Sequence, residues 1–424
     1  MKLKIILPAL LIILFTQFVS AQNDCTKKFS VACFGSGQDE YGKVDAPESF
    51  YRGKRGLTIN VTYNAFTPQA QTAFDYSVQI WQSILNGTVP IKVNVFFLPL
   101  GAGGLLGITF PNGVKNFPNA PVADVWYPTS LANQLAGVEQ NVGESDFDMY
   151  INSSANWYYG TDGNCPIGKY DLCSIALHEM GHGFGIVGLS KIDSFNVGSF
   201  GLLTLNDFSP ALISFPWPEL DTLPGIFDHH LMTSDGTNIT ATFANPSDTL
   251  ATIFKSNSVY WNGIFGLQYN NSVEPKIYAP ATFALGSSMV HLDEATFPVG
   301  NPNELMTPFA ASHSSNHNPG PVAIAILKDI GWNVDPTFNS ADELQIADYR
   351  LQISPNPAND FITVNNLSHK QGEIILTDLA GRILLNENVS SDEMKIDVHD
   401  LSPGIYFVGL KNKESRSVVK MVKD

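Results

Sequence analysis

The chain has 424 residues, enough for two domains and at least one large core. Its formal net charge of −16 argues against nucleic acid as a partner. Charged side chains make up only 15%, which suits an exported, loop-rich α+β or β protein better than one built from long helices.

Residues 1–21 have the pattern of a signal peptide: Lys2 and Lys4, an apolar run from Ile5 to about Phe18, then Val19-Ser20-Ala21 as a cleavage site. That run is short for a membrane span and Pro8 interrupts it, so no integral membrane segment is expected in the mature chain. Cys25 follows Gln22-Asn23-Asp24, which is unlike a lipobox. Four cysteines in an exported chain favour disulfides, and the short local loops favour Cys25–Cys33 and Cys165–Cys173. The rival use, a cysteine that latches a metal in a precursor, has no motif around Cys33 to support it. Residues 22–55 read as a short N-terminal segment, brief for a pro-domain.

The main domain is expected over residues 56–335. Leu57 to Thr62 alternates like a strand, Thr67 to Leu85 has the period of an amphipathic helix, and Ile91 to Leu98 is a second strand. Asp146 to Ile151 is a short alternating strand, either an ordinary sheet member or an edge that pairs with an extended peptide. Asp146, Asp148 and Asp162 could hold Ca2+, although a solvated acidic loop is the simpler reading. A helix from about Tyr170 to Phe184 ends at Gly183 and Gly185. Residues 189–290 are rich in Phe, Asn, Thr and Pro and read as an insertion of loops and strands. A further helix runs from Pro321 to Ile330, and residues 336–347 form a polar linker.

Residues 178–182, His-Glu-Met-Gly-His, fall inside the predicted helix. His178 and His182 are one turn apart on one face and can reach a single metal ion. Glu179 lies beside them as a general base, which is the pattern of zinc peptidases. A catalytic zinc needs a third protein ligand and an open position. The bland alternative is a core helix carrying two histidines, at the cost of burying them and Glu179 without partners.

These residues resemble the metzincins, whose pattern is His-Glu-x-x-His-x-x-Gly-x-x-His with a later Met-turn. His178, Glu179, His182 and Gly185 match it, but Gly188 stands where the third His belongs. The leishmanolysin type of that family carries its third His after an insertion, shortly before the Met-turn. That resemblance implies His291 as third ligand and Met306, in Asn303-Glu304-Leu305-Met306-Thr307-Pro308, as the Met-turn residue beneath Zn2+. Rival ligands are His229, His230 and Asp193, while His313 and His317 read as solvated loop residues. A glutamate ligand of the thermolysin kind has no suitable helix downstream.

Residues 348–424 change character to seven short alternating strands, the pattern of a small antiparallel β-sandwich. The stretches Ile353-Ser354-Pro355-Asn356-Pro357-Ala358, Leu379-Ala380-Gly381-Arg382 and Leu401-Ser402-Pro403-Gly404-Ile405-Tyr406 resemble the C-terminal sorting domain of the type IX secretion system in Bacteroidota. The resemblance implies a partner in the type IX machinery and a secreted or cell-surface product. A sugar-binding tail is poorly supported, since the tail lacks tryptophan.

The expectation is thus an α+β, metzincin-like zinc endopeptidase with protein or peptide substrates. Two other readings stay open: a surface adhesin that keeps the fold without catalysis, and a zinc hydrolase acting on something other than peptides.

Overall fold

In the computed structural model the described residues are 26–28, 31–53, 55–101, 104–201, 221–335, 351–365, 372–378, 382–391, 393–411 and 416–424. The predicted signal peptide, Cys25 and the linker lie outside them.

The sheet that positions the site is built from β1 (Thr26–Lys28), β2 (Val31–Val44), β3 (Ile59–Asn64), β5 (Ile91–Leu98), β6 (Leu105–Val114), β7 (Tyr127–Pro128), β8 (Phe147–Asn152) and β16 (Phe309–Asn316). Its spatial order is β16-β2-β6-β8-β5-β3, with β1 and β7 also pairing with β6. β3, β5 and β8 run parallel, whereas β6 is antiparallel to both β8 and β2. Alternation explains β5, which buries Ile91, Val93, Val95 and Phe97 on one face. β6 is buried at every position, as expected of a central strand covered on both faces.

Two helices cover that sheet. α2 (Pro68–Ile84) starts at Thr67, whose hydroxyl accepts from Ala70 N, with Pro68 at the first helical position. Its inner face carries Phe74, Ile80, Trp81 and Ile84. α4 (Leu172–Phe184) is capped by Asp171, whose carboxylate accepts from Cys173 N at 2.9 Å. The Trp81 indole donates to Leu177 O at 3.1 Å and ties the two helices together. Glycine lets α4 approach its neighbours: a Cβ on Gly183 would lie 2.6 Å from the Phe147 ring. α1 (Glu48–Tyr51), α3 (Thr129–Ala136) and α9 (Gly320–Asp329) complete this layer, and β17 (Asn333–Val334) pairs with β4 (Leu85–Asn86).

Three expectations change here. The strand beginning near Asp146 is no edge, because β8 lies between β5 and β6. The N-terminal segment contributes a 14-residue strand, β2, to the sheet. The insertion is richer in helix than its composition suggested. The ribbon β9 (Trp157–Tyr158) with β10 (Tyr170–Asp171) precedes the insertion; within it the ribbon β11 (Ser190–Ile192) with β12 (Gly198–Phe200) is followed by α5 (Ile226–His229), α6 (Ile239–Thr242), α7 (Asp248–Ile253) and α8 (Ile264–Tyr269). These pieces of four to six residues are too short to show a period. Strands β13 (Leu231–Thr233), β14 (Val259–Trp261) and β15 (Lys276–Ile277) form a small sheet beside them.

The tail folds as two antiparallel sheets. One is β18 (Gln352–Ser354), β19 (Phe361–Asn365) and β22 (Met394–Asp397). The other is β21 (Ile383–Asn388), β20 (Glu373–Asp378), β23 (Gly404–Lys411) and β24 (Arg416–Lys423). Ile362, Val364 and Ile396 of the first share one core with Ile374, Val408 and Leu410 of the second. Among the described residues, no helix is long and apolar enough to cross a membrane.

Candidate metal centre

The structure brings His178, His182 and His291 together, with one ring nitrogen of each within 4.8 Å of the others. His178 Nε2 lies 2.9 Å from His182 Nε2 and 3.3 Å from His291 Nε2. The opposite edge of every ring faces a backbone carbonyl: His178 Nδ1 with Leu305 O at 2.6 Å, His182 Nδ1 with Ile186 O at 2.6 Å, and His291 Nδ1 with Ser287 O at 2.8 Å. A carbonyl only accepts, so each Nδ1 carries the proton and each Nε2 presents a lone pair. Burial keeps the rings neutral. It lowers the His178 pKa to about 4 and pushes His182 and His291 well below the usual histidine value. Three neutral lone pairs therefore converge on one point and could hold a cation there.

Local structure explains the convergence. His178 and His182 share a face of α4, and the turn after Gly185 returns Ile186 O to the second ring. His291 arrives on the segment that follows β15, where Leu292 N donates to Met306 O at 2.8 Å. Met306 ends a short 3-10 turn (Glu304–Met306) and is fully buried against α4. A Cβ on Gly181 would meet its sulfur at 2.8 Å. The same turn supplies Leu305 O to His178. Gly188, which breaks the sequence pattern, is packed against this segment, and a Cβ there would lie 2.9 Å from Met289 O. A side chain at 188 has no room where the His291 segment passes.

Glu179 is fully buried beside the histidines. Thr109 Oγ1 of β6 donates to its Oε2 at 2.5 Å, whereas Oε1 is buried with no hydrogen-bond partner. Burial raises its pKa to about 8, against the lowering effect of bonds from Thr109 and the Cys33 backbone. A cavity beside His178 is lined by Cys33, Tyr170, Ser174, Glu294, Glu304 and Ser314 among others.

The other candidates do not join the cluster. His230 stacks on Trp261 at 4.9 Å, and Asp193 is exposed, accepting from Phe195 N and Val197 N in its own turn. Asp146, Asp148 and Asp162 form no shared group among the described residues. Asp146 is buried under bonds from Lys92 N and Asn133, while Asp162 is exposed. His317 is not a solvated loop residue. It is buried, with Nε2 2.8 Å from the Asp171 carboxylate. Burial lowers its pKa, but the neighbouring Cys173 sulfur and the Asp171 carboxylate outweigh that and raise it above the ordinary histidine value. Since burial also raises the Cys173 pKa, the thiol is neutral at ordinary pH, and Asp171 is the partner that matters.

The expected disulfides are corrected too. Cys33, Cys165 and Cys173 are free and buried. Cys173 Sγ faces Ser77, while the Cys165 thiol donates to Lys169 O at 3.1 Å, so the pair is held apart by different neighbours. Cys33 stands at the metal centre, its sulfur within 4.8 Å of ligand atoms of His178 and Glu179. Sequence reasoning set Cys33 aside and missed Thr109, because only strand pairing brings β2 and β6 to α4.

Residues 352–424 match the family model of the secretion system C-terminal sorting domain. The tail is an export signal. It sends this protein through the type IX route to the cell surface or the extracellular space. No curated protein matches the chain. Two solved structures of the CBM51-2 and INT domains of ZmpB from Clostridium perfringens, one in complex with GlcNAc, are 21% and 25% identical over 16% of this chain. Their TM-scores are 0.14 and 0.13, and this chain covers 17% and 16% of their lengths. Likeness at that level supports no shared fold.

Proposed function

We propose that the protein is an exported zinc-dependent endopeptidase of metzincin type, with His178, His182 and His291 as metal ligands and Glu179 as general base. The observation that carries this reading is the set of three proton-free Nε2 atoms in a buried pocket. A zinc ion with Zn–N bonds near 2.0–2.1 Å in tetrahedral array sets its nitrogens about 3.3 Å apart. The spacings of 2.9 and 3.3 Å suit that, and without a cation the facing lone pairs would repel. Carbonyls behind each ring are the outer partners that fix ligand tautomers in metal sites.

A bound zinc ion would supply a Lewis acid that polarises the scissile carbonyl and acidifies water. The chain's own residues do the rest. Glu179 Oε1, the free oxygen of a carboxyl held by Thr109 through Oε2, takes a proton and returns it to the departing amine. Met306 and Leu305 set the floor under α4 and hold His178 in register.

The test is zinc content together with hydrolysis of an unfolded protein, before and after limited trypsin treatment with the trypsin then blocked. Zinc bound with hydrolysis in either state supports the peptidase; zinc without hydrolysis of any peptide favours the non-catalytic adhesin.

A further inference from the structure

We infer that the cavity beside His178 accepts a cationic side chain of the substrate, a lysine or arginine next to the cleaved bond, with Glu294 and Glu304 as its partners. This rests on the zinc peptidase reading above. The cavity has a direction. Its lining residues from α4 and its cap are Asp171, Ser174, Ile175 and His178. From His178 back to Asp171 is about two turns, so at 1.5 Å per residue the cavity runs about 10 Å along the helix. That is the reach of one long, unbranched side chain. Val299, Leu305, Phe309 and Ala310 supply apolar walls, which suit the methylene stem of lysine or arginine. The empty space is about 500 Å³, the scale of a small-ligand pocket.

The charge of the lining has one sign. Glu294 and Glu304 both line the cavity, and no lysine or arginine stands among its described lining residues. The third lining carboxylate, Asp171, is already paired with His317 at 2.8 Å. Lys276 is engaged by Asp293 at 3.6 Å and is not a lining residue. Glu294 Oε2 is buried with no hydrogen-bond partner. Glu304 accepts from Gly300 N and, at 3.5 Å, from Ser314 Oγ. Asn316, 3% exposed, lines the same cavity; its Nδ2 is buried beside Glu304, where it favours the ionised carboxylate.

Burial raises the pKa of both carboxyl groups, Glu304 to about 7, and the Glu294 charge adds to the rise at Glu304. An ammonium or guanidinium between them reverses that shift and supplies the donors that Glu294 lacks. An uncharged side chain of equal length fills the stem but leaves buried carboxylates unpaired, which is costly. The apolar walls favour a side chain over a bare calcium ion, which takes roughly six to eight oxygen ligands.

The experiment uses the full chain loaded with zinc, with and without the trypsin step, and Glu179→Gln carried through the same steps supplies the background cuts. An unfolded protein mixture is digested and the new termini are mapped by mass spectrometry. Lysine or arginine should be enriched at one fixed position next to the cut. In matched peptides, norleucine at that position should lower kcat/KM by about 10²-fold or more. In the double variant Glu294→Gln, Glu304→Gln the ratio between the two peptides should fall to near one, with zinc still bound. An apolar preference at that position, or none, overturns this inference and leaves the peptidase standing. A basic preference that survives the double variant overturns the assignment to these carboxylates. Calcium found in the wild type and lost from the double variant overturns it too, by putting a metal ion in the cavity. Bound zinc with no cleavage of any peptide defeats the peptidase reading, and this one with it.

Discussion

The metal-centre unit and the tail are built from similar short strands but bury different things. Every described residue buried in the tail is apolar, from Leu351 to Met421, apart from the tip of Tyr406, whose hydroxyl donates to Ser402 O. The larger unit buries Asp146, Asp171, His178, Glu179, His182, Asp228, His291 and His317. Removing ionisable groups from water is costly unless each is paired, so a fold keeps such a set where chemistry requires it. The tail's sandwich has only its own stability and an address to maintain. The contrast separates a unit that keeps ionisable groups in its core from a tail that serves as an address.

The largest effect should come from the base. Glu179→Gln should retain zinc and lose hydrolysis by at least 10²–10⁴-fold, since the amide cannot accept a proton. Steady-state turnover with a peptide substrate measures it, and wild-type-like rates would place the chemistry elsewhere.

Next is the buried ion pair that anchors the start of α4. His317→Ala leaves the Asp171 carboxylate unpaired and should lower stability by about 3 kcal/mol in urea unfolding. The pH dependence has a definite sign. Asp171 holds the His317 pKa above the ordinary 6.5, so the pair's contribution is full below 6.5 and declines as the pH rises past it. The gap between wild type and His317→Ala should be wider at about pH 6 than at about pH 9. An equal gap at both would mean that the pair is not charged as described.

A smaller cost is expected at the floor of the site. Gly181→Ala puts a methyl 2.8 Å from Met306 Sδ, and the flexible thioether can shift. About 1–2 kcal/mol should be lost, with some loss of zinc affinity because Leu305 O moves with the turn. The least effect belongs to the tail's surface. Lys395→Ala removes a cation over the Phe361 ring and should change stability by no more than about 0.5 kcal/mol. A cost comparable to that of His317→Ala would erase the distinction between the two units.

The same contrast governs what the sequence revealed. All seven tail strands were legible because each alternates and pairs largely with near neighbours, as β23 does with β24. In the larger unit α2, β5, α4 and α9 were legible for the same local reason. What failed was non-local. β2 pairs with β16 across most of the chain, so nothing around Cys33 signals its place between two strands. His317 looked solvated because Asp171, which justifies its burial, is 146 positions upstream. Edge and inner positions stayed open for β8, since strand order within a sheet leaves no mark on alternation. The Gly188 departure, by contrast, has a packing reason that only the path of residues 289–291 shows.

The central claim is that three histidines from two distant segments hold one zinc ion. Metal analysis of the purified full chain and its single variants tests it most directly. Wild type and Glu179→Gln should carry stoichiometric zinc after dialysis against a weak chelator. His291→Ala should lose most of it, and His229→Ala and His230→Ala should not. Full zinc in His291→Ala would contradict the account and send the search for a third ligand elsewhere in the insertion.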